Sequence, residues 1–213
     1  MSYKFKNHIN DNPYVTTFVS EGSKIIHLRP GRTAGISMTS YMSSLNVIEV
    51  SRPYFFGNGI NEWVENITDE EIKNDYFVFT FVRNPFDRLI SAWNMFVRTG
   101  KVESNFEKFI KDRGVGHLLY EDGKFTNDHW FPQSYYVEYE DGESFVDFTG
   151  KFENLKEDWS KVAKKFNINQ NLHNVFLANQ SKHDYYRNYY TEELVSIVSD
   201  VYKRDLELFD YEF

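Results

Sequence analysis

At 213 residues and 41% hydrophobic content, the chain has the length of one domain with room for a substantial core. Its formal charge of −8 argues against broad affinity for nucleic acid or acidic membranes, and the absence of cysteine excludes disulfides, thiolate catalysis and Cys-ligated zinc. Aromatic residues make up 18% of the chain, twenty Phe and fifteen Tyr among them, so ring packing is expected to fill much of the interior.

In chain order, residues 1–22 read as an irregular lead-in without the apolar core of a signal peptide. No stretch approaches the roughly 18 consecutive apolar residues of a membrane span, and a soluble, cytoplasmic protein is expected. Lys24–Leu28 (KIIHL) predicts a short buried strand, with Pro30, Gly31 and Gly35 marking the turn after it. A helix starting near Thr33–Gly35 would carry Met38, Tyr41, Met42 and Leu45 as one apolar stripe. Tyr76–Val82 (YFVFTFV) is apolar on both faces except at Thr80, the pattern of a strand central to a parallel sheet covered on both sides. Asn84-Pro85 then predicts a helix start, Asn as N-cap and Pro at the first position, with Phe86, Leu89, Ile90, Trp93, Phe96 and Val97 as its buried face.

A further helix is expected around Asn105–Lys111, and a hairpin where Tyr135–Tyr139 and Ser144–Phe148 flank Glu140-Asp141-Gly142-Glu143. Lys156–Phe166 and Thr191–Leu208 read as helices, the second opened by Thr191, Glu192 and Glu193. Strands alternating with helices predict an α/β fold of three layers, a central mainly parallel sheet flanked by helices. No linker or repeat divides the chain, so residues 1–213 are expected to form a single domain.

Lys24–Ser37 and Tyr76–Trp93 share one order: apolar strand, short polar turn, helix. That geometry aims backbone N–H groups and a helix N-terminus at an anion, and two such turns suggest a ligand with phosphate at both ends. In so acidic a chain the positive charge must be local, and Arg29, Arg32, Arg83 and Arg88 are the residues placed to supply it. Gly31–Ser37 is not the loop of a nucleotide triphosphatase: its glycines are one residue too close, and Ile36 rather than Lys precedes Ser37. What remains is Gly31 and Gly35 for close backbone approach, Arg32 for charge, and Thr33 and Ser37 for hydroxyl donors. The same residues also suit an ordinary strand–helix turn with an exposed arginine. Arg83 directly follows the central strand, where α/β sheets present ligand contacts, and Ser91 lies eight residues on, about two helical turns away. A salt bridge to Asp87 is the plainer reading of Arg83, a solvated helix face that of Arg88, and a structural role in a buried strand that of His27.

Segments Ile26–Ser37, Phe79–Trp93, Asp128–Gln133, Gly150–Trp159 and Asn179–Tyr211, taken together and in order, resemble the PAPS-dependent carbohydrate sulfotransferases, with their P-loop-like architecture. The resemblance implies that Gly31, Arg32, Thr33, Ala34, Gly35, Ile36 and Ser37 bind the 5′-phosphosulfate of 3′-phosphoadenosine 5′-phosphosulfate (PAPS). It implies that Arg83 and Ser91 bind the 3′-phosphate. Asp128-His129-Trp130-Phe131-Pro132-Gln133 is similar to the family's H-W-x-P-Q stretch, which assigns His129 as the base at the acceptor side, with Arg32 as its catalytic partner at the leaving phosphate. A histidine's ordinary pKa near ~6.5 suits proton uptake at neutral pH.

Asn179-Gln180-Ser181-Lys182-His183 resembles a loop that closes over the ligands, which makes Ser181 and Lys182 further binding residues; a solvated loop fits the same sequence. In the Lys151–Leu155 segment (KFENL), Glu153 and Asn154 are expected to be structural, Glu153 capping the next helix, and Trp63, Trp130 and Trp159 are expected to pack. The family's loop reads P-K-T-A-G-T-S, so this chain departs from it by Arg32 in place of lysine and by the additional Gly31. The implied reaction moves a sulfuryl group from PAPS to a hydroxyl, expected on a sugar or glycan, releases adenosine 3′,5′-bisphosphate and needs no metal. Acceptor contacts are expected within Val47–Asn74 and Val97–Thr126. Two other readings stand beside it: a non-catalytic nucleotide- or glycan-binding module of the same fold, favoured by the arginine at 32, and a small-molecule kinase, disfavoured by the missing Gly-Lys-Ser/Thr.

Overall fold

A computed structural model of the chain describes residues 16–20, 22–35, 38, 48–51, 74–111, 120–121, 124–125, 129–138, 142–168 and 184–213. Strands β1 (Thr16–Ser20), β2 (Ile25–Arg29), β3 (Ile48–Ser51), β4 (Phe77–Val82) and β7 (Phe148–Lys151) form one sheet in the order β3-β1-β2-β4-β7. β2 pairs in parallel with β4, and β4 with β7, while β1 runs antiparallel to both β2 and β3. Four of the five strands therefore point the same way, and the expected mainly parallel α/β sheet is present. Two short strands, β5 (Tyr120–Glu121) and β6 (Lys124–Phe125), pair antiparallel apart from it.

β4 is the spine. Its alternation puts Phe77, Phe79 and Phe81 on one face and Val78, Thr80 and Val82 on the other. On the first face Phe79 and Phe81 pack with Trp159 and Val162 of helix α2 (Leu155–Lys165), Trp159 being fully buried. On the second, Val82 meets Phe131, Tyr136, Val137 and Phe209. Helix α1 (Pro85–Arg98) leaves β4 through Asn84, whose side chain accepts from the Phe86 N–H at 3.0 Å, with Pro85 at the first turn. Its apolar side, Phe86, Leu89, Ile90, Trp93 and Phe96, packs with Phe106, Phe109, and Leu194 and Val198 of helix α3 (Glu192–Val201). The helix expected near residue 105 is seen over 106–111, with Asn105 accepting from the Lys108 N–H at its start.

Four expectations need correction. The irregular lead-in ends early, because Thr16–Ser20 is rich in β-branched residues and pairs with β2 in full register. Residues 48–51, assigned to an acceptor loop, form β3 at the sheet edge. No strand is seen over 135–138, Tyr139 lying outside the described residues: Gln133–Tyr136 forms a 3-10 turn, one isolated bridge joins Glu138 to Ser144, and a strand starts only at Phe148. The Asp205 carboxylate anchors the Gln133 and Ser134 N–H groups at 2.6 and 2.7 Å, and the Tyr135, Val137 and Glu138 N–H groups turn back to the Pro132 and Ser134 carbonyls rather than join a ladder. Finally, the closing helix breaks at Tyr202 into α3 and α4 (Lys203–Phe209), and Tyr202 sends its hydroxyl to the Trp130 carbonyl at 2.7 Å. The stripe residues Tyr41, Met42 and Leu45 lie outside the described residues, whereas Met38 is fully buried in the core against α2.

Candidate active site

Both predicted turns leave the carboxyl ends of adjacent parallel strands, β2 and β4, and they touch. Arg83 donates from Nη1 to the Arg32 carbonyl at 3.3 Å, and Arg32 donates from Nε to the Ser91 hydroxyl at 3.0 Å. Arg88 donates from Nε to the Gly31 carbonyl at 2.8 Å. Arg29 lies over the start of the next helix so closely that a Cβ on Gly35 would collide with its side chain. Four arginines thus converge on residues 31–35 in a chain of net charge −8.

The backbone of that loop is itself unusual. Arg32 and Ala34 have left-handed φ values of 70° and 67°, with Thr33 between them on the negative side. Alternation in backbone hand is the pattern that turns successive N–H groups toward one concave side in anion-binding nests. A non-glycine residue in this region costs roughly 1–2 kcal/mol, strain of the kind that persists at functional sites. The Thr33 hydroxyl does not face that side; it is buried and donates to the Pro30 carbonyl at 2.7 Å, tightening the turn. Burial, then the positive charges of Arg83 and Arg88, lower the Arg32 pKa. An arginine stays charged regardless, so the site holds positive potential that an anion relieves.

Arg83 has the ion pair of its plainer reading: Nε and Nη2 both meet Asp87 Oδ2 at 2.8 Å. Its guanidinium also lies 4.3 Å from the centre of the Phe152 ring. Pinned on these sides, Arg83 has little freedom to turn away from the loop. Ser91 is fully buried beneath Arg32, so its hydroxyl meets a ligand only when the Arg32 side chain swings off it. Glu153 does not cap α2; it accepts from the Asn84 N–H at 2.8 Å and the Tyr211 hydroxyl at 2.7 Å, closing the rim beside Arg83. Burial and the Glu153 charge push the Tyr211 phenol above its usual range.

His129 packs directly against the 31–35 loop. A Cβ on Gly31 would come within 3.0 Å of the His129 Cα and 3.2 Å of its ring carbons, so this glycine serves close approach rather than a special backbone angle. The imidazole is half-buried and meets Phe96 edge-on at 5.5 Å. His27, by contrast, is fully buried against Phe79; burial, with Arg29 nearby, lowers its pKa to about 3, so it is neutral and structural. Trp130 and Trp159 are buried packing residues, as expected. Ile36, Ser37, Asp128, Ser181, Lys182, His183 and Trp63 lie outside the described residues, as do 47, 52–73, 112–119, 122–123 and 126 of the expected acceptor segments.

Arg88 requires correction. It is not on a solvated helix face but 1% exposed, donating to Gly31 and, from Nη1, to the Phe131 carbonyl at 2.7 Å. A signal for this exists in the sequence: Arg88 precedes Ser91 by three residues and so shares its helix face. Asp205, Tyr202 and Gln133 carry no comparable signal. Asp205 is fully buried, and desolvation raises its pKa against the pull of the Gln133 and Ser134 N–H groups and Arg88. Gln133 in turn accepts from the Arg83 N–H and donates to the Arg83 carbonyl, both at 2.8 Å. Arg204 pairs with Glu138. The C-terminal helices thereby hold the His129 segment against the end of β4. Among the described residues, no cluster of His, Cys, Asp or Glu suits a metal ion, and no helix is long and apolar enough to cross a membrane.

A model of the sulfotransferase family matches residues 15–212, nearly the whole chain. An uncharacterized protein of Archaeoglobus fulgidus is 30% identical over 110 residues, which is 51% of this chain and 82% of that protein. No solved structure matches.

Proposed function

Since the chain belongs to the sulfotransferase family, we propose that it transfers a sulfuryl group from PAPS to a hydroxyl of a carbohydrate acceptor. The observation that carries this reading is the convergence of Arg29, Arg32, Arg83 and Arg88 on a loop whose Arg32 and Ala34 are both left-handed. Such a cradle suits a polyanion bridging two neighbouring turns. In this assignment the N–H groups of residues 31–35, extended by Ile36 and Ser37, take the 5′-phosphosulfate, and Arg83 and Ser91 take the 3′-phosphate. Ser181 and Lys182 are assigned to the same ligand.

The acceptor oxygen forms a bond to sulfur as the bond from sulfur to the bridging phosphate oxygen breaks, and the acceptor's proton passes to His129. The electron pair of the broken bond stays on the phosphate, where Arg32 and the nest stabilise it. Arginine delivers this charge through two parallel donors rather than as a point. The reaction then depends on in-line placement of the two oxygens more than on covalent help from the protein. The contact of His129 with Gly31 supports this arrangement, because it brings a base within one residue of Arg32.

The test is turnover of radiolabelled PAPS with a panel of sugars and glycans and with cell extract. Labelled sulfate should move to an acceptor, with adenosine 3′,5′-bisphosphate released in equal amount, and His129→Ala should abolish transfer while leaving nucleotide affinity intact. Nucleotide binding with no transfer to any acceptor would instead favour the non-catalytic module.

A further inference from the structure

We propose that Arg88 is a positioning residue that sets the spacing between the phosphate loop and His129. This rests on the role just given to His129. Arg88 is 1% exposed and does not reach a ligand, so it acts through what it holds. Its Nε bonds the Gly31 carbonyl at 2.8 Å and its Nη1 the Phe131 carbonyl at 2.7 Å. Gly31 is the residue against which His129 packs, and Phe131 is two residues beyond His129. One planar group therefore ties the loop to the segment that carries the base.

Other bonds tie this segment to the C-terminal helices and, through Gln133 and the Arg83 backbone, to the end of β4. Tyr202 holds the Trp130 carbonyl, and Asp205 holds the Gln133 and Ser134 N–H groups, all from the C-terminal helices. Those bonds fix the segment to α3 and α4, while Arg88, rooted in α1, carries the bond to the phosphate loop. Burying a guanidinium costs several kcal/mol unless it is well paired. Here two carbonyls and the nearby Asp205 charge offset that cost. Lysine has the charge but not the fixed fork that spans two carbonyls, and a methionine fills the stem's volume while removing both bonds.

The test compares the full chain with Arg88→Lys and Arg88→Met, the second keeping the test open should the first fail to fold. In selectively labelled protein without ligand, a nuclear Overhauser contact between the Gly31 α-protons and the His129 ring should be present in the parent and lost in the folded variants. In PAPS-dependent transfer, kcat should fall on the order of a hundredfold, the cost of misplacing a reacting group by about 1 Å. Affinity for adenosine 3′,5′-bisphosphate should fall far less than kcat, least of all in Arg88→Lys, which keeps the positive charge beside the loop. A parent-strength contact in either folded variant, or equal losses in kcat and nucleotide affinity, would overturn the proposal. If the parent protein neither binds nucleotide nor transfers sulfate, the functional reading fails on its own, and the contact measurement still decides whether Arg88 sets the spacing.

Discussion

Replacing His27 with phenylalanine should flatten the acid limb of the stability profile. The imidazole is fully buried, stacked on Phe79 with ring centres 4.6 Å apart and edge-on to Phe81 at 6.4 Å. Burial first, and the Arg29 charge second, lower its pKa from 6.5 to about 3. Between those values the unfolded chain takes up a proton that the folded one refuses, so folding stability falls as pH falls. The contribution is fully present above 6.5 and shrinks by about 1.4 kcal/mol for each pH unit below it. At about pH 5 the loss is about 2 kcal/mol, a sizeable share of a typical domain's stability.

Urea unfolding followed by tryptophan fluorescence, from mildly alkaline to about pH 4, measures it. Asp205, whose buried carboxyl has a raised pKa, works in the opposite sense in acid, because the fold then favours its protonated form. It is common to both proteins, so their difference isolates His27. Parallel profiles for parent and variant would refute the reasoning. They would mean that the folded protein accommodates a charged imidazole against Phe79 in its core.

Asp205→Asn should cost about 2–3 kcal/mol, since one of two buried N–H groups loses its acceptor and Arg88 loses a compensating charge; a change below about 0.5 kcal/mol in urea unfolding would contradict it. Gly35→Ala should leave the fold intact but displace Arg29, weakening adenosine 3′,5′-bisphosphate about tenfold by calorimetry, the loss of one charge-assisted contact. Gly31→Ala pushes on the backbone and ring of His129, and the overpacking should lower Tm by the equivalent of about 1–3 kcal/mol and depress turnover more than nucleotide affinity. Unaltered turnover in this variant would mean that His129 is not the base.

The spine of the fold is legible because its signals are local. Tyr76–Val82 is apolar on both faces, and Asn84-Pro85 caps the helix after it, so β4 and α1 emerge within a residue of expectation. The first turn is legible from Gly31 and Gly35, and both glycines mark close approach, one of His129 and one of Arg29. The 129–138 segment is not legible as structure. Its aromatics invite a strand, but Asp205, 72 residues further along the chain, anchors the Gln133 N–H, and the Tyr135, Val137 and Glu138 N–H groups close local turns. Arg88 misleads for a related reason: an arginine on an amphipathic helix is usually solvated, and despite the face that it shares with Ser91 its burial comes from distant partners, the Gly31 carbonyl 57 residues earlier and the Phe131 carbonyl 43 residues later.

The central claim is that neighbouring turns of one sheet grip the two ends of one nucleotide, and calorimetry with paired ligands tests it most directly. Adenosine 3′,5′-bisphosphate should bind at least about tenfold more tightly than adenosine 5′-monophosphate, one charge-assisted pair being worth about 1.5–3 kcal/mol. Arg83→Gln should erase that difference without abolishing binding of the monophosphate. Equal affinity for the two nucleotides in the parent protein, or no heat with either, would contradict the account.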